Sequence, residues 1–587
     1  SPAYSAAHAG PRPAKCLRMV NMRRSAGLLL AAILLPGPAP AQKPESAPRT
    51  TASVELTLFN LDVIVTDAKG DPVRGLKPED FEVRHDGKVV KLTNFSEVRG
   101  SGFPAVAAPA EPPPPGTAPA VEAAPAARRP PRRIVLFFDR LQLPDANQRK
   151  ELFDSVRRLL EETLDDDDEA MIVTWNRSIR TVLPFTGDPD RLAKSLETVE
   201  RESSGVASEK ADLDLLRDED AWFTSLAADP RIGTDFGGFT PTASVFAQQA
   251  FFEMKAKTAA LKGLSATLGG MEGRKILVLV SHRFSRYAGL EFYLKARTGV
   301  EALNDPRTKE YDTKRLLEEV TRSANANGVT LYGVFPAGMD APQPSAADPI
   351  SEAPGVTSQA YGGRELLALS NELEALSFVA EKTGGVAAAG AGSLPAFIDR
   401  VSSDLDSWYS LGYPSPSGAG KAASVSVRLR NGKLNARVRG SVVEKTLEEQ
   451  MSDRVLAHLF KPDDRAKIPI SVSASVAPGP SKKFRIRIEV RIPIASLVLL
   501  PSAKGAAGAF SVFVASVAAK GDFSEVSRRS QSFEIPGKDV ETAKAGHYTY
   551  EIEVESSGPD ARVCVGVWDE KGNDAGFAVV RPSGPGS

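Results

Sequence analysis

The sequence predicts a central α/β domain flanked by all-β segments, and three observations carry this. Between 132 and 413, short continuous apolar runs alternate with amphipathic stretches at helical spacing. Strands separated by helices require a largely parallel sheet with crossovers. On either side, at 53–98 and 421–443, apolar residues alternate with polar ones around the turn dipeptides Asp86-Gly87 and Asn431-Gly432, the signature of antiparallel pairing. From 465 to 583 short strands recur with turns between them, as in a β-sandwich.

The chain has 587 residues, with 73 basic and 74 acidic side chains and 42% hydrophobic residues. That length implies three or four domains with sizeable cores. A net charge of -1 removes the basic excess expected of a nucleic-acid-binding protein. The five histidines and two cysteines, Cys16 and Cys564, are too scattered for a local Cys/His metal cluster or a disulfide framework.

Residues 1–41 read as a leader and secretory signal peptide: Met22-Arg23-Arg24, a short apolar run from Ala26 to Leu35, then Pro36 to Ala41. The run is too short to span a bilayer, which takes about 20 residues. Cleavage is expected after Ala41. It leaves 68 basic against 74 acidic side chains, a net of -6, with Cys564 as the remaining cysteine. No later segment suggests a transmembrane span, so the protein is expected to be exported, periplasmic or extracellular.

The elements follow in order. Leu61, Val63 and Val65 continue an alternation that slips phase at Phe59, and Phe81, Val83, Val90, Leu92 and Phe95 complete a small β unit. Residues 99–131 form a Pro/Ala-rich linker, since proline denies it both helix and ladder hydrogen bonds. Ile134–Phe138 and Ile276–Val280 are apolar runs of the buried, parallel kind. Amphipathic or proline-free stretches at Asn147–Thr163, Pro189–Val199, Ser244–Leu268, Lys314–Asn327, Leu366–Lys382 and Leu394–Leu405 predict helices. Residues 421–443 predict a β-hairpin, with 53–98 as its expected partner, because each is too short for an independent core. Residues 447–460 predict a helical linker.

Four passages together resemble bacterial von Willebrand factor A (VWA)-related proteins of the Acidobacteria type. They are Val63–Val73 with Gly75-Leu76, Glu79–Phe81 and Asp86-Gly87; Glu169–Asn176 through Pro184–Asp188; Gly273–Ser281; and Ser407–Pro414. The resemblance implies a Rossmann-like VWA domain over 132–413. It also implies, at the carboxyl edge of the sheet, a metal-ion-dependent adhesion site. Such a site holds a hard divalent cation with oxygen ligands: a D-x-S-x-S loop, a threonine from a second loop, and an aspartate after the fourth strand.

This sequence departs from that ligand set. Its first loop reads Asp139-Arg140-Leu141-Gln142-Leu143, with leucine at both serine positions, and the fourth strand runs into Ser281-His282-Arg283. Thr240 and Thr242 are the candidates for the threonine. Too few oxygens remain for Mg²⁺ or Ca²⁺, so no cofactor and no metal are expected. Asp139 reads as an acid that pairs with Arg140 or Arg283 or caps a helix. The candidate ligand-facing edge comprises Asp139, Arg140, Thr240, Thr242, Ser281 and Arg283. Arg140, Arg283 and Arg286 could cluster there and receive a partner's acidic group, although a solvated, charge-mixed face is the simpler reading. The expected function is non-enzymatic protein binding, adhesion or scaffolding, with a protein as partner and no nucleic acid. The alternatives are metal-dependent adhesion, or an envelope enzyme with catalytic groups at 200–240 or 340–363.

Overall fold

A computed structural model describes residues 58–99, 130–143, 146–202, 215, 241–281, 284–296, 306–335, 358–389, 394–416, 420–462, 466–480, 483–518 and 524–583. The signal peptide and nearly all of the Pro/Ala-rich linker lie outside the described residues, as do most of 200–240 and 340–357.

The first strands are β1 (Leu58–Thr66), β2 (Phe81–His85), β3 (Lys88–Val90) and β4 (Asn94–Arg99). Asp86 and Gly87 both take positive φ, 47° and 76°, as the tight turn joining β2 to β3 requires. In β1, Phe59, Leu61, Val63 and Val65 point inward while Leu58 is exposed, the register set by the phase slip.

The α/β domain follows with β5 (Arg132–Asp139), α1 (Ala146–Thr163), β6 (Glu169–Trp175), β7 (Ile179–Thr186), α2 (Pro189–Arg201), α3 (Pro241–Gly269), β8 (Arg274–Val280), α4 (Leu290–Ala296), α5 (Pro306–Glu310), α6 (Lys314–Ala326), β9 (Val329–Phe335), α7 (Ser358–Lys382), β10 (Ala387–Ala389) and α8 (Leu394–Asp406). The six strands run in the order β10-β9-β8-β5-β6-β7, with β7 antiparallel at one edge. Helices cover both faces, so the strands read as unbroken apolar runs. Ile134, Leu136 and Phe138 of β5 pack with α1, α2 and α8 on one face. Val135 and Phe137 pack with α3, α6 and α7 on the other. This alternation fixes which way Asp139 points.

The chain leaves this domain through β11 (Ser407–Pro414), β12 (Ala422–Leu429), β13 (Asn435–Arg437) and β14 (Ser441–Val443). Two corrections to the sequence reading follow. First, β11 is not a strand of the α/β sheet. It lies antiparallel between β1 and β4, so the α/β domain ends at Asp406 rather than at 413. Its alternation of Tyr409, Leu411 and Tyr413 explains this. Their side chains enter an antiparallel core, with Tyr409 5.1 Å from the Phe81 ring and Tyr413 5.7 Å from that of Phe59. Second, 421–443 is not a hairpin. β12 pairs with β2 and β14, whereas β13 pairs with β1. The Asn431-Gly432 turn carries the chain from one sheet to the other. The result is two four-stranded sheets, β13-β1-β11-β4 and β14-β12-β2-β3, packed around one aromatic core, with residues 130–406 lying between their strands in chain order.

Next comes α9 (Leu447–His458), opened by a capping box in which Thr446 and Glu449 exchange hydrogen bonds. Strands β15 (Ser471–Pro478), β16 (Phe484–Pro493), β17 (Leu500–Ser502), β18 (Gly505–Val517) and β19 (Ser527–Pro536), the short helix α10 (Val540–Lys544), then β20 (His547–Ser556), β21 (Arg562–Asp569) and β22 (Ala575–Val580) complete the chain. They form a sandwich of β15-β16-β20 over β17-β18-β21-β22, with β19 added beside β18. The helix α9 is more than a linker. Met451, Val455, Ala457, Leu459 and Phe460 are buried in one continuous core that also contains Leu261 and Leu264 of α3 and Phe513, Ala515 and Cys564 of the sandwich. The sandwich backbone admits α9 closely at Gly566, where an added Cβ would stand 2.6 Å from Val455 Cγ2.

Candidate functional site

The neighbouring strands β5 and β8 mark the point where the sheet's connections reverse. The chain runs outward from β5 to β6 on one side and from β8 to β9 on the other. The crevice beyond their carboxyl ends is where open α/β sheets place ligands. Asp139 ends β5, and Ser281 follows the last residue of β8. Both continue the odd-numbered series, Val135-Phe137 and Leu277-Leu279, that faces α3. Strand periodicity therefore aims the two side chains at the same helix.

That helix answers with Lys257. Its ammonium pairs with Asp139 Oδ2 and donates to Ser281 Oγ at 3.0 Å. The Ser281 hydroxyl donates to the same Asp139 oxygen at 2.9 Å. Asp139 Oδ1 accepts from the Leu141 backbone N–H at 3.2 Å, capping the 3-10 turn Arg140–Gln142. All three side chains are buried: Asp139 is 1%, Ser281 1% and Lys257 4% exposed. A buried carboxylate is stable when a countercharge and donors surround it, and this one has both. Asp139 caps this turn, and among the described residues its charge partner is Lys257, not Arg140.

Leu141 and Leu143, at the positions where the resemblance would place hydroxyls, pack into the core. Leu141 packs against the cluster on the α3 side of the sheet, and Leu143, fully buried, joins the cluster on the α1 side.

Among the described residues, the remaining predicted ones do not assemble. Arg140 Nε lies 2.5 Å from Glu202 Oε2, partly buried. Arg286 pairs with Asp312, faces Glu374 at 4.0 Å and stacks over the Tyr287 ring. Two of the three arginines proposed to receive a partner's acid thus already hold acids of their own chain. Thr242 sits in the first turn of α3. At about 1.5 Å rise per residue it stands roughly 22 Å along the axis from Lys257, so the fold does not bring it to Asp139. Thr240, His282 and Arg283 lie outside the described residues, as do most of the loops proposed for an enzyme.

Sequence reasoning missed Lys257, although the sequence carries a signal for it. Met254, Leu261, Leu264 and Leu268 form the buried stripe of α3, and Lys257 falls in phase with them at the alternating three- and four-residue steps of a helix face. A lone lysine in a core stripe calls for a buried acid.

Among the described residues, no group of three or more His, Cys, Asp and Glu side chains is placed to hold a metal ion. No described helix is long and apolar enough to cross a membrane.

No protein-family description and no curated protein matches the chain. Solved structures do. An aerotolerance-related membrane protein from Bacteroides fragilis is 10% identical, covering 47% of this chain and 98% of its own, with a TM-score of 0.21. The conserved hypothetical protein BatB from Bacteroides thetaiotaomicron covers the same shares at 10% identity and a TM-score of 0.20. The vWF domain of the type V pili tip protein Mfa5 from Porphyromonas gingivalis is 11% identical, covering 47% of this chain and 95% of its own, with a TM-score of 0.18.

Proposed function

We propose that this chain is an exported, non-enzymatic binding or scaffolding protein, built on a VWA-related domain whose metal-ion-dependent adhesion site is degenerate. The observation that carries the reading is the pairing of Lys257 with Asp139. A lysine ammonium supplies the positive charge that a divalent cation would bring, and Asp139 is fully engaged by Lys257, Ser281 and Leu141 N–H. With leucines at the two hydroxyl positions, a cation would have to displace the ammonium and still lack oxygens. Recognition of a protein partner then rests on the surface around this edge and on the two β-domains, without a metal bridge. The signal-like segment at 22–41 supports export.

Calorimetry of the full chain with Mg²⁺, Mn²⁺ and Ca²⁺ tests this reading. No stoichiometric binding is expected, from the native chain or from Asp139→Asn. A one-site isotherm that disappears in Asp139→Asn overturns it and favours metal-dependent adhesion.

The contact of Lys257 with Ser281 raises an enzymatic alternative, since serine–lysine pairs serve as nucleophile and base. The hydrogen bonds oppose it: the ammonium donates to Ser281, and the hydroxyl donates to Asp139. Ester hydrolysis lost in Ser281→Ala would reverse that judgement.

A further inference from the structure

At the opposite end of β8 from Ser281, three basic side chains from separate segments meet around the Asn327-Gly328 turn. Lys275 Nζ donates to the Asn327 carbonyl at 3.4 Å. The Lys445 ammonium donates to Asn327 Oδ1 and pairs with Asp453. Arg439 donates to the Asn60 carbonyl, and its guanidinium lies against Gly328, where an added Cβ would stand 3.0 Å from Nη1. Beside them Arg274 stacks on the Trp408 ring at 4.4 Å and faces Asp62 at 3.8 Å.

The four cations thus face the carboxylates of Asp62 and Asp453 in a partly buried junction, with the exposed Glu449 beside Asp453. Among the described residues, no carboxylate lies within ion-pair distance of Lys275 or Arg439. Arg439 Nε is buried without a hydrogen-bond partner. Burial, with Arg439 and Lys445 close by, pulls the Lys275 ammonium down to about 8. Burial also lowers Arg439 and raises the Asp453 carboxyl. Unpaired cations held close together out of water are costly. The group that would offset them is compact, doubly negative and rich in acceptor oxygens.

We propose that Lys275, Arg439 and Lys445 form a binding site for a small doubly charged oxyanion of the sulfate and phosphate class, where the small β-domain, the α/β domain and α9 meet. This proposal is independent of the reading of Asp139.

Calorimetry of the full chain with sodium sulfate, against sodium chloride at matched ionic strength, tests it. At about pH 7, saturable one-site binding is expected, and the singly charged probe acetate should bind about tenfold more weakly. Lys275→Gln and Arg439→Gln should each weaken sulfate by about tenfold or more, with melting of the ligand-free chain no lower than that of the wild type for Lys275→Gln. Lys275→Arg should retain binding. Raising the pH to about 9.5 discharges Lys275 and should weaken binding of sulfate, which itself stays doubly charged. Absence of saturable heat beyond the chloride control overturns the proposal. So does binding that Lys275→Gln and Lys275→Arg leave alike, or acetate binding as tight as sulfate.

Discussion

Lys257→Met should destabilise the protein by about 3–5 kcal/mol, because it leaves the fully buried Asp139 carboxylate without its countercharge. Methionine keeps the length and the packing of the lysine stem, so the loss reports charge rather than a cavity. Adding Asp139→Asn to Lys257→Met removes the stranded charge and should recover most of the stability, to within about 1–2 kcal/mol of the wild type. Urea unfolding of the two single variants and the double variant gives the coupling directly. Equal destabilisation in the single and double variants would mean that the pair does not act as a unit.

Val455→Asp should cost at least about 4 kcal/mol and divide the unfolding of the chain. Val455 is 0% exposed and sits where α9 meets both α3 and the β-sandwich. An aspartate there is a buried charge with no partner. The core through α9 is continuous, so the α/β domain and the sandwich should melt together in the native chain and separately in the variant. Scanning calorimetry that already resolves two transitions in the native chain would contradict this coupling.

The α/β core was legible in the sequence because burial on both faces of a parallel sheet leaves unbroken runs such as Ile134–Phe138 and Ile276–Val280. The helices over them were legible from their apolar stripes. What local pattern does not carry is the choice of partner between strands that are each half buried. β11 and β13 have the lengths and alternation of many strands, and only the tertiary fit of Tyr409 and Tyr413 against Phe81 and Phe59 assigns β11 to the small β-domain. In the same way, Asn431-Gly432 announces a turn without saying whether its flanking strands pair with each other. At the site, the sequence shows leucine at 141 and 143, where the resemblance would place hydroxyls, and Asp139 as an acid at a strand end. Its partner was harder to find. Lys257 lies 118 residues further along the chain, and nothing local links the two; only the shared parity of β5 and β8 and the stripe on α3 bring them together.

In the proposed function a lysine ammonium holds the place of a metal ion beside Asp139. The most direct measurement is anomalous diffraction from crystals of the full chain soaked in Mn²⁺. Lys257 Nζ is expected between Asp139 and Ser281, with no anomalous peak there. A manganese peak at about 2.0–2.6 Å from an Asp139 oxygen, with Lys257 turned away, would contradict it.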